Sequence, residues 1–320
     1  MSKEIEDHRL LNPSRNEPFS SVLDRRLSRR AVMKGGMGMA AMTMLGSFGL
    51  SAFANEPSSG MAKTPLALAF ESIAGSRSDA VVVPPGYTAQ VLVPWGTPLD
   101  DSAPEWSEDL TMTPQAQAAS VGMHHDGMHP FALDESTASE RFLLVMNNEY
   151  IDENALWAPQ GGPTNMTEGK RPADEVRTEI NAHGVTVVEV KKDADGRWSH
   201  VKGSAHNRRY TSATPMHLSG PVAGSDYVKT RYSPGGTQAR GTNNNCAHGY
   251  TPWGTYLTCE ENWPAYFVKN EGRTLDDDRL GIASGRGRYG WETAAGDDSE
   301  RDDEFTRLIG DPVADDASGD

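Results

Sequence analysis

The sequence predicts an all-β protein, a β-propeller-like array of hairpins joined by long loops. Three observations point there. Residues 88–93, 142–146, 185–190 and 255–258 are short runs rich in β-branched or aliphatic side chains, each bounded by Gly, Pro or Asn. The run at 185–190 is followed by Asp193-Ala194-Asp195-Gly196 and then by 197–201, which reads as a hairpin closed by a Gly-containing turn. No helical period extends beyond about two turns. Spaced hairpins suit a sandwich, a barrel or a propeller, and the length of the connections favours the propeller. No repeat of fixed period marks individual blades.

The chain begins with an export signal. Arg29 and Arg30 form a twin-arginine pair ahead of an apolar run at 35–50, and small residues precede a cleavage position after Ala54. The run is rich in Gly, Ala and Met and too short for a stable membrane span. The expected partner is the twin-arginine translocation machinery, and the expected location is the periplasm or the exterior. Twin-arginine export carries folded proteins, often with a cofactor already inserted. The domain reading is therefore a signal peptide at 1–54, one β domain at 55–290, and an acidic loop or disordered segment at 291–320. That last segment holds 11 acidic against 2 basic side chains. Beyond Ala54 the chain carries 22 basic and 40 acidic residues, a net charge of −18. Such a balance repels nucleic acid and anionic membrane surfaces, so neither is an expected partner.

Residues 243–262, NNNCAHGYTPWGTYLTCEEN, concentrate metal-ligand chemistry within one hairpin. Glu260 and Glu261 offer hard oxygens suited to calcium or ferric iron, and a thiolate at Cys246 suits a softer transition metal. Two other readings of the same residues stand beside this one. Gly249, Pro252 and Gly254 make a plain turn, and Cys246 could pair with Cys259 as a disulfide in an oxidising compartment. The run His124-His125-Asp126-Gly127-Met128-His129 also crowds potential ligands, but its Gly and Pro neighbours suggest a solvated loop. His183 and His248 are expected to orient neighbouring groups. Arg208, Arg209 and Arg240 are candidates by type for clamping a phosphate.

From about residue 70 to 267 the chain resembles the PhoX alkaline phosphatases. The resemblance rests on 81–99 (VVVPPGYTAQVLVPWGTPL), 143–150 (LLVMNNEY), 182–190 (AHGVTVVEV), 206–224 (HNRRYTSATPMHLSGPVAG) and the segment ending in EEN at 262. It implies a β-propeller with a calcium and iron cluster at one end of its channel, acting on phosphomonoesters. Carried over by position, Cys246 corresponds to the iron-binding thiolate of the family's NC motif. Glu261 corresponds to the carboxylate ligand of its EE pair, with Glu260 beside it, and Glu149 to the carboxylate of its N-H-E-Y motif. Asn148 stands where that motif has histidine. Arg208 and Arg240 are the substrate-binding candidates.

Members of the family run on for about as many residues again. The resemblance therefore implies that this chain is an N-terminal portion with an incomplete propeller and, expressed by itself, little or no phosphatase activity. A second functional class is a non-catalytic exported propeller that binds metal or another ligand.

Export gives the first testable expectation. A reporter fused behind residues 1–54 should reach the periplasm, and Arg29→Lys with Arg30→Lys should retain it in the cytoplasm. Unchanged export of the double variant would contradict the twin-arginine reading.

Overall fold

The structure is a computed structural model describing residues 70–230, 232–296 and 304–310. The export signal at 1–54 lies outside the described residues. Two compact units divide the chain, 1–88 and 89–320. Within the first, residues 70–88 form neither helix nor strand, and Phe70 meets Tyr87 edge to face with ring centroids 6.2 Å apart.

The second unit is built on an antiparallel sheet of β1 (His125–Ala132), β2 (Arg141–Asn148), β3 (Gly184–Lys192), β4 (Trp198–His200) and β5 (Arg208–Tyr210). β1, β2 and β3 pair in sequence order, with Leu144 opposite both Pro130 and Val188. β4 and β5 share the other edge of β3, through Val190↔His200 and Val185↔Tyr210. The expected hairpin is present, with Gly196 at φ 81° in the turn between β3 and β4. A residue with φ in this range is most easily Gly, which has no Cβ to clash. Two further hairpins follow, β6 (Pro215–His217) with β7 (Gln238–Arg240), and β8 (Asn245–Tyr250) with β9 (Tyr256–Glu260). Strands dominate, helix is sparse, and no closed barrel forms among the described residues.

Two expectations are corrected. Residues 88–93 form no strand. Gln90 instead exchanges side-chain hydrogen bonds with the Trp198 backbone, at 2.5 and 3.2 Å, so this segment caps an edge through its side chain. A helix of nearly three turns is also present, Ala173–Ala182. Pro172 sets its entry, Asp174 and Glu175 favour its first turn, and Val176 and Ile180 fall four residues apart on one face. The other helices, Pro114–Ala118, Glu153–Leu156 and Leu275–Leu280, are single turns or little more. No helix of the described residues is long and apolar enough to cross a membrane.

Two cores result. Val93, Leu99, Val121, Met146, Val188 and Val190 bury one face of the sheet. The larger core joins Val176 and Ile180 to Trp157, Tyr266, Tyr289 and Trp291. Phe305 and Leu308 belong to it as well, so 304–310 is not the solvated loop expected of an acidic tail. Burying each large apolar side chain contributes about 1.5–3 kcal/mol.

Glu179 lies at the centre of this core. It accepts hydrogen bonds from the indoles of Trp157 at 2.8 Å and Trp291 at 2.6 Å and is paired with Arg171, itself fully buried. Burial raises the Glu179 carboxyl above its usual range, and Arg171 and the two indoles hold that rise back. Removing one partner of such a pair strands a buried charge. Arg171→Met should therefore cost about 3–5 kcal/mol in urea denaturation. Arg279→Met, which breaks an exposed pair with Asp276, should cost no more than about 1 kcal/mol. Equal losses would contradict this.

Candidate metal centre

The hairpin β8–β9 docks against β1 and β2 through a buried amide. Asn147, fully buried in β2, donates from Nδ2 to Cys246 O at 2.7 Å. Its Oδ1 accepts from Thr258 Oγ1 at 2.9 Å and lies 3.0 Å from Tyr256 Oη. Tyr256 Oη is also 2.9 Å from Gly127 O, so β1, β2, β8 and β9 meet here.

Both docking strands are bulged at this point. In β1, His125 pairs with Asn148 and Met128 with Met146, so Asp126 and Gly127 together oppose Asn147. In β8, Asn245 pairs with Glu260 and His248 with Thr258, so Cys246 and Ala247 together oppose Cys259. A bulge breaks the alternation of side chains and redirects one of them. Gly127 permits the approach, since a Cβ there would lie 2.6 Å from His248 Nδ1 and 2.9 Å from Cys246 O.

The redirected side chains converge. Asp126, Glu149 and Cys246 each place one potential ligand atom within 4.8 Å of the others, all half-buried. Glu149 follows directly on β2, its N–H donating to His124 O at 2.9 Å. Glu261, just past β9, acts on Cys246 and Glu149 as well. Hydrogen bonds to Asp126 and Glu261, then burial and the two negative charges, push the Cys246 thiol up to about 12. Burial, then Asp126 and Glu261, raises the Glu149 carboxyl, while Arg288 pulls it down.

Asn244 ties the cluster together from below. Its backbone is left-handed at φ 47°, a region Asn tolerates better than most residues. Its carbonyl accepts from Glu261 N–H at 2.8 Å, and its Nδ2 donates to Glu149 O at 3.3 Å and to Tyr266 Oη at 3.2 Å. Tyr266 Oη in turn lies 3.1 Å from Nε2 of the buried His183, whose Nδ1 lies 2.7 Å from Glu179 O. One residue thus fixes the two carboxylate-bearing segments and links them to the larger core.

The donor set fits a metal ion. Three carboxylates and a thiol are gathered here, burial and the charges of Asp126 and Glu261 oppose ionisation of Glu149 and Cys246, and Asn244 Oδ1 is buried there without a partner. A cation reverses that penalty and ionises the thiol. Carboxylate oxygens suit a hard ion, and the thiolate suits a transition metal.

Of the residues singled out in the sequence, Glu149, Cys246 and Glu261 come together. Glu260 turns to the loop before β8, where Oε1 accepts from Asn243 N–H at 2.8 Å and Thr242 Oγ1 at 3.0 Å. Cys246 and Cys259 are both free, and Cys259 lies exposed. Arg208 is exposed, donating to His206 O at 3.2 Å, and Arg240 stacks on Tyr232 at 5.0 Å. Neither contributes a contact to the cluster among the described residues. Arg209 is structural: it donates to Asn148 Oδ1, Thr186 Oγ1, Asn181 O and His183 O at 2.5–2.8 Å. Asn148, in the place of the family's histidine, serves as acceptor for that guanidinium and for Thr186 Oγ1 at 2.6 Å.

Sequence reasoning did not bring Asp126 into the cluster. The crowded run 124–129 is a bulged strand rather than a solvated loop, and its one carboxylate, Asp126, is the group that reaches the site. Among its histidines, His124 stacks on Tyr150 at 3.8 Å and His129 on Tyr250 at 3.9 Å.

The protein-family model for alkaline phosphatase PhoX matches residues 68–304. Among solved structures, the chain is similar to Pseudomonas fluorescens PhoX in complex with vanadate, a transition state analogue, with 37% identity and a TM-score of 0.62. That match covers 69% of this chain and 37% of the solved one, so it spans little more than a third of the relative's length. No curated protein matches. Residues 68–304 include every group of the cluster, and the chain belongs to the alkaline phosphatase PhoX family.

Proposed function

We propose that the protein is an exported metal-dependent phosphatase that hydrolyses phosphomonoesters with a bound cluster of calcium and ferric iron. The observation that carries this reading is the convergence of Asp126, Glu149 and Cys246 within 4.8 Å in a chain of this family. Asp126, Glu149, Cys246 and Glu261 would hold the metal. When bound, it would neutralise phosphate oxygens and activate water for in-line attack at phosphorus. The protein's own part is to fix the ligands: Asn147 holds the two bulges together, and Asn244 sets the spacing of Glu149 and Glu261. Glu260, whose Oε1 accepts from Asn243 N–H and Thr242 Oγ1, would support the 242–243 loop beside the metal. Arg208 and Arg240 stay as candidates for contacting substrate on its approach. The β1–β5 sheet, four strands wide with β4 and β5 sharing one edge, suits a propeller blade. Twin-arginine export to the periplasm would let the metal be inserted before translocation.

Metal content tests the assignment. Protein loaded with Fe3+ and Ca2+ should lose its iron on Cys246→Ala and keep it on Cys259→Ala, measured by atomic emission after gel filtration. Equal effects of the two substitutions would contradict the thiolate assignment. Asn244→Ala, which removes support without removing a ligand, should weaken iron retention about 10–100-fold against a chelator. Retention equal to wild type would remove Asn244 from the account.

A further inference from the structure

We propose that Arg288 anchors the phosphate group of the substrate, in the pocket that opens between it and Glu261. The inference rests on the metal-dependent phosphatase reading and adds a residue to it. The pocket has a volume of about 500 Å3 and is lined by residues 260–265, Leu280, Gly281 and Arg288. Glu261 belongs to both the pocket and the cluster, and the charge of Arg288 acts on Glu149. The pocket therefore shares Glu261 with the metal ligands.

Arg288 differs from the other arginines near the site. Arg171 spends its guanidinium on Glu179 and Tyr289 O, Arg209 on four acceptors, and Arg286 on the carbonyls of Asn165, Met166 and Gly169. The guanidinium of Arg288 makes no hydrogen bond or ion pair among the described residues, and the residue is exposed. It is nevertheless held. Its guanidinium carbon lies 5.0 Å from the Tyr289 ring centroid and 6.0 Å from that of Tyr150, and Tyr150 is stacked on His124 from its own side. Its backbone N–H donates to Ala265 O at 3.0 Å, which ties it to another residue lining the pocket. Aromatic stacking places the cation while leaving its five N–H donors unspent. A planar fork of donors beside a cation-binding cluster matches a phosphate dianion, which can bond two oxygens to the guanidinium and turn a third toward the metal ligands.

The test is calorimetric binding of inorganic phosphate to the full chain loaded with Fe3+ and Ca2+, at constant ionic strength. Arg288→Met should weaken phosphate binding about 10–100-fold with metal content unchanged, since two charge-assisted hydrogen bonds are lost. Arg288→Lys should fall between, keeping the charge without the fork. Arg197→Met, at an exposed residue of the β3–β4 turn outside the pocket lining, should bind as wild type does. Phosphate binding by Arg288→Met equal to wild type, with metals retained, would overturn this inference and leave the metal assignment standing. Wild-type protein that takes up metal yet binds no phosphate would also overturn it. Failure of the wild type to take up metal would overturn the metal assignment and this inference together.

Discussion

A single buried amide holds the candidate site together. Asn147 reaches from the central strand β2 to the carbonyl of Cys246 on one side and to Thr258 and Tyr256 on the other, with no exposed surface of its own. Backbone pairing cannot make this junction, because β8 lies on the β1–β2 sheet without being a strand of it. β1 and β8 are also bulged at the contact, and Asn147 bridges it with Nδ2 on the backbone carbonyl of Cys246 and Oδ1 on the hydroxyls of Thr258 and Tyr256. A buried polar group with all its partners in place specifies one arrangement, since any shift of register leaves it unpaired. The positions of Asp126, Glu149 and Cys246 follow from that arrangement.

The electrostatics of the cluster run against stability in the absence of a cation. Burial and then the neighbouring carboxylates raise Glu149, and hydrogen bonds to Asp126 and Glu261 hold Cys246 protonated. A protein gains nothing in folding from such a group, and strained electrostatics of this kind mark functional sites. The surrounding support is correspondingly elaborate. Asn244 bonds the backbone of both Glu149 and Glu261, and through Tyr266 and His183 it connects to the core that holds Glu179 and Arg171. The link between the anionic surface site and the fully buried ion pair passes entirely through neutral side chains and backbone.

What the sequence made legible, and what it did not, follows from the range of the interactions involved. Strands β2, β3, β4 and β9 were readable because alternation and turn residues are local signals. Glu149, Cys246 and Glu261 were readable because they sit in short motifs of a recognisable family. Asp126 was set aside because its neighbours suggested a solvated loop, and only the pairing of Met128 with Met146 reveals the bulge that turns it inward. Arg288 carries no motif at all; its stacking on Tyr150 and Tyr289 exists only after the chain has folded. The helix at 173–182 was missed because a charged pair, Glu175 and Glu179, occupies its buried face and hides the apolar period. The run at 88–93 has strand composition but bonds through a side chain, which composition cannot distinguish.

The central claim is that the iron of the cluster is bound jointly by β1, the end of β2 and the β8 bulge. Anomalous diffraction collected above and below the iron absorption edge, from crystals of protein loaded with Fe3+ and Ca2+, tests it most directly. The account predicts an iron peak bonded to Cys246 Sγ and to carboxylate oxygens of Asp126 and Glu149. Iron bound elsewhere, with those three side chains remaining in mutual contact and free of metal, would contradict it.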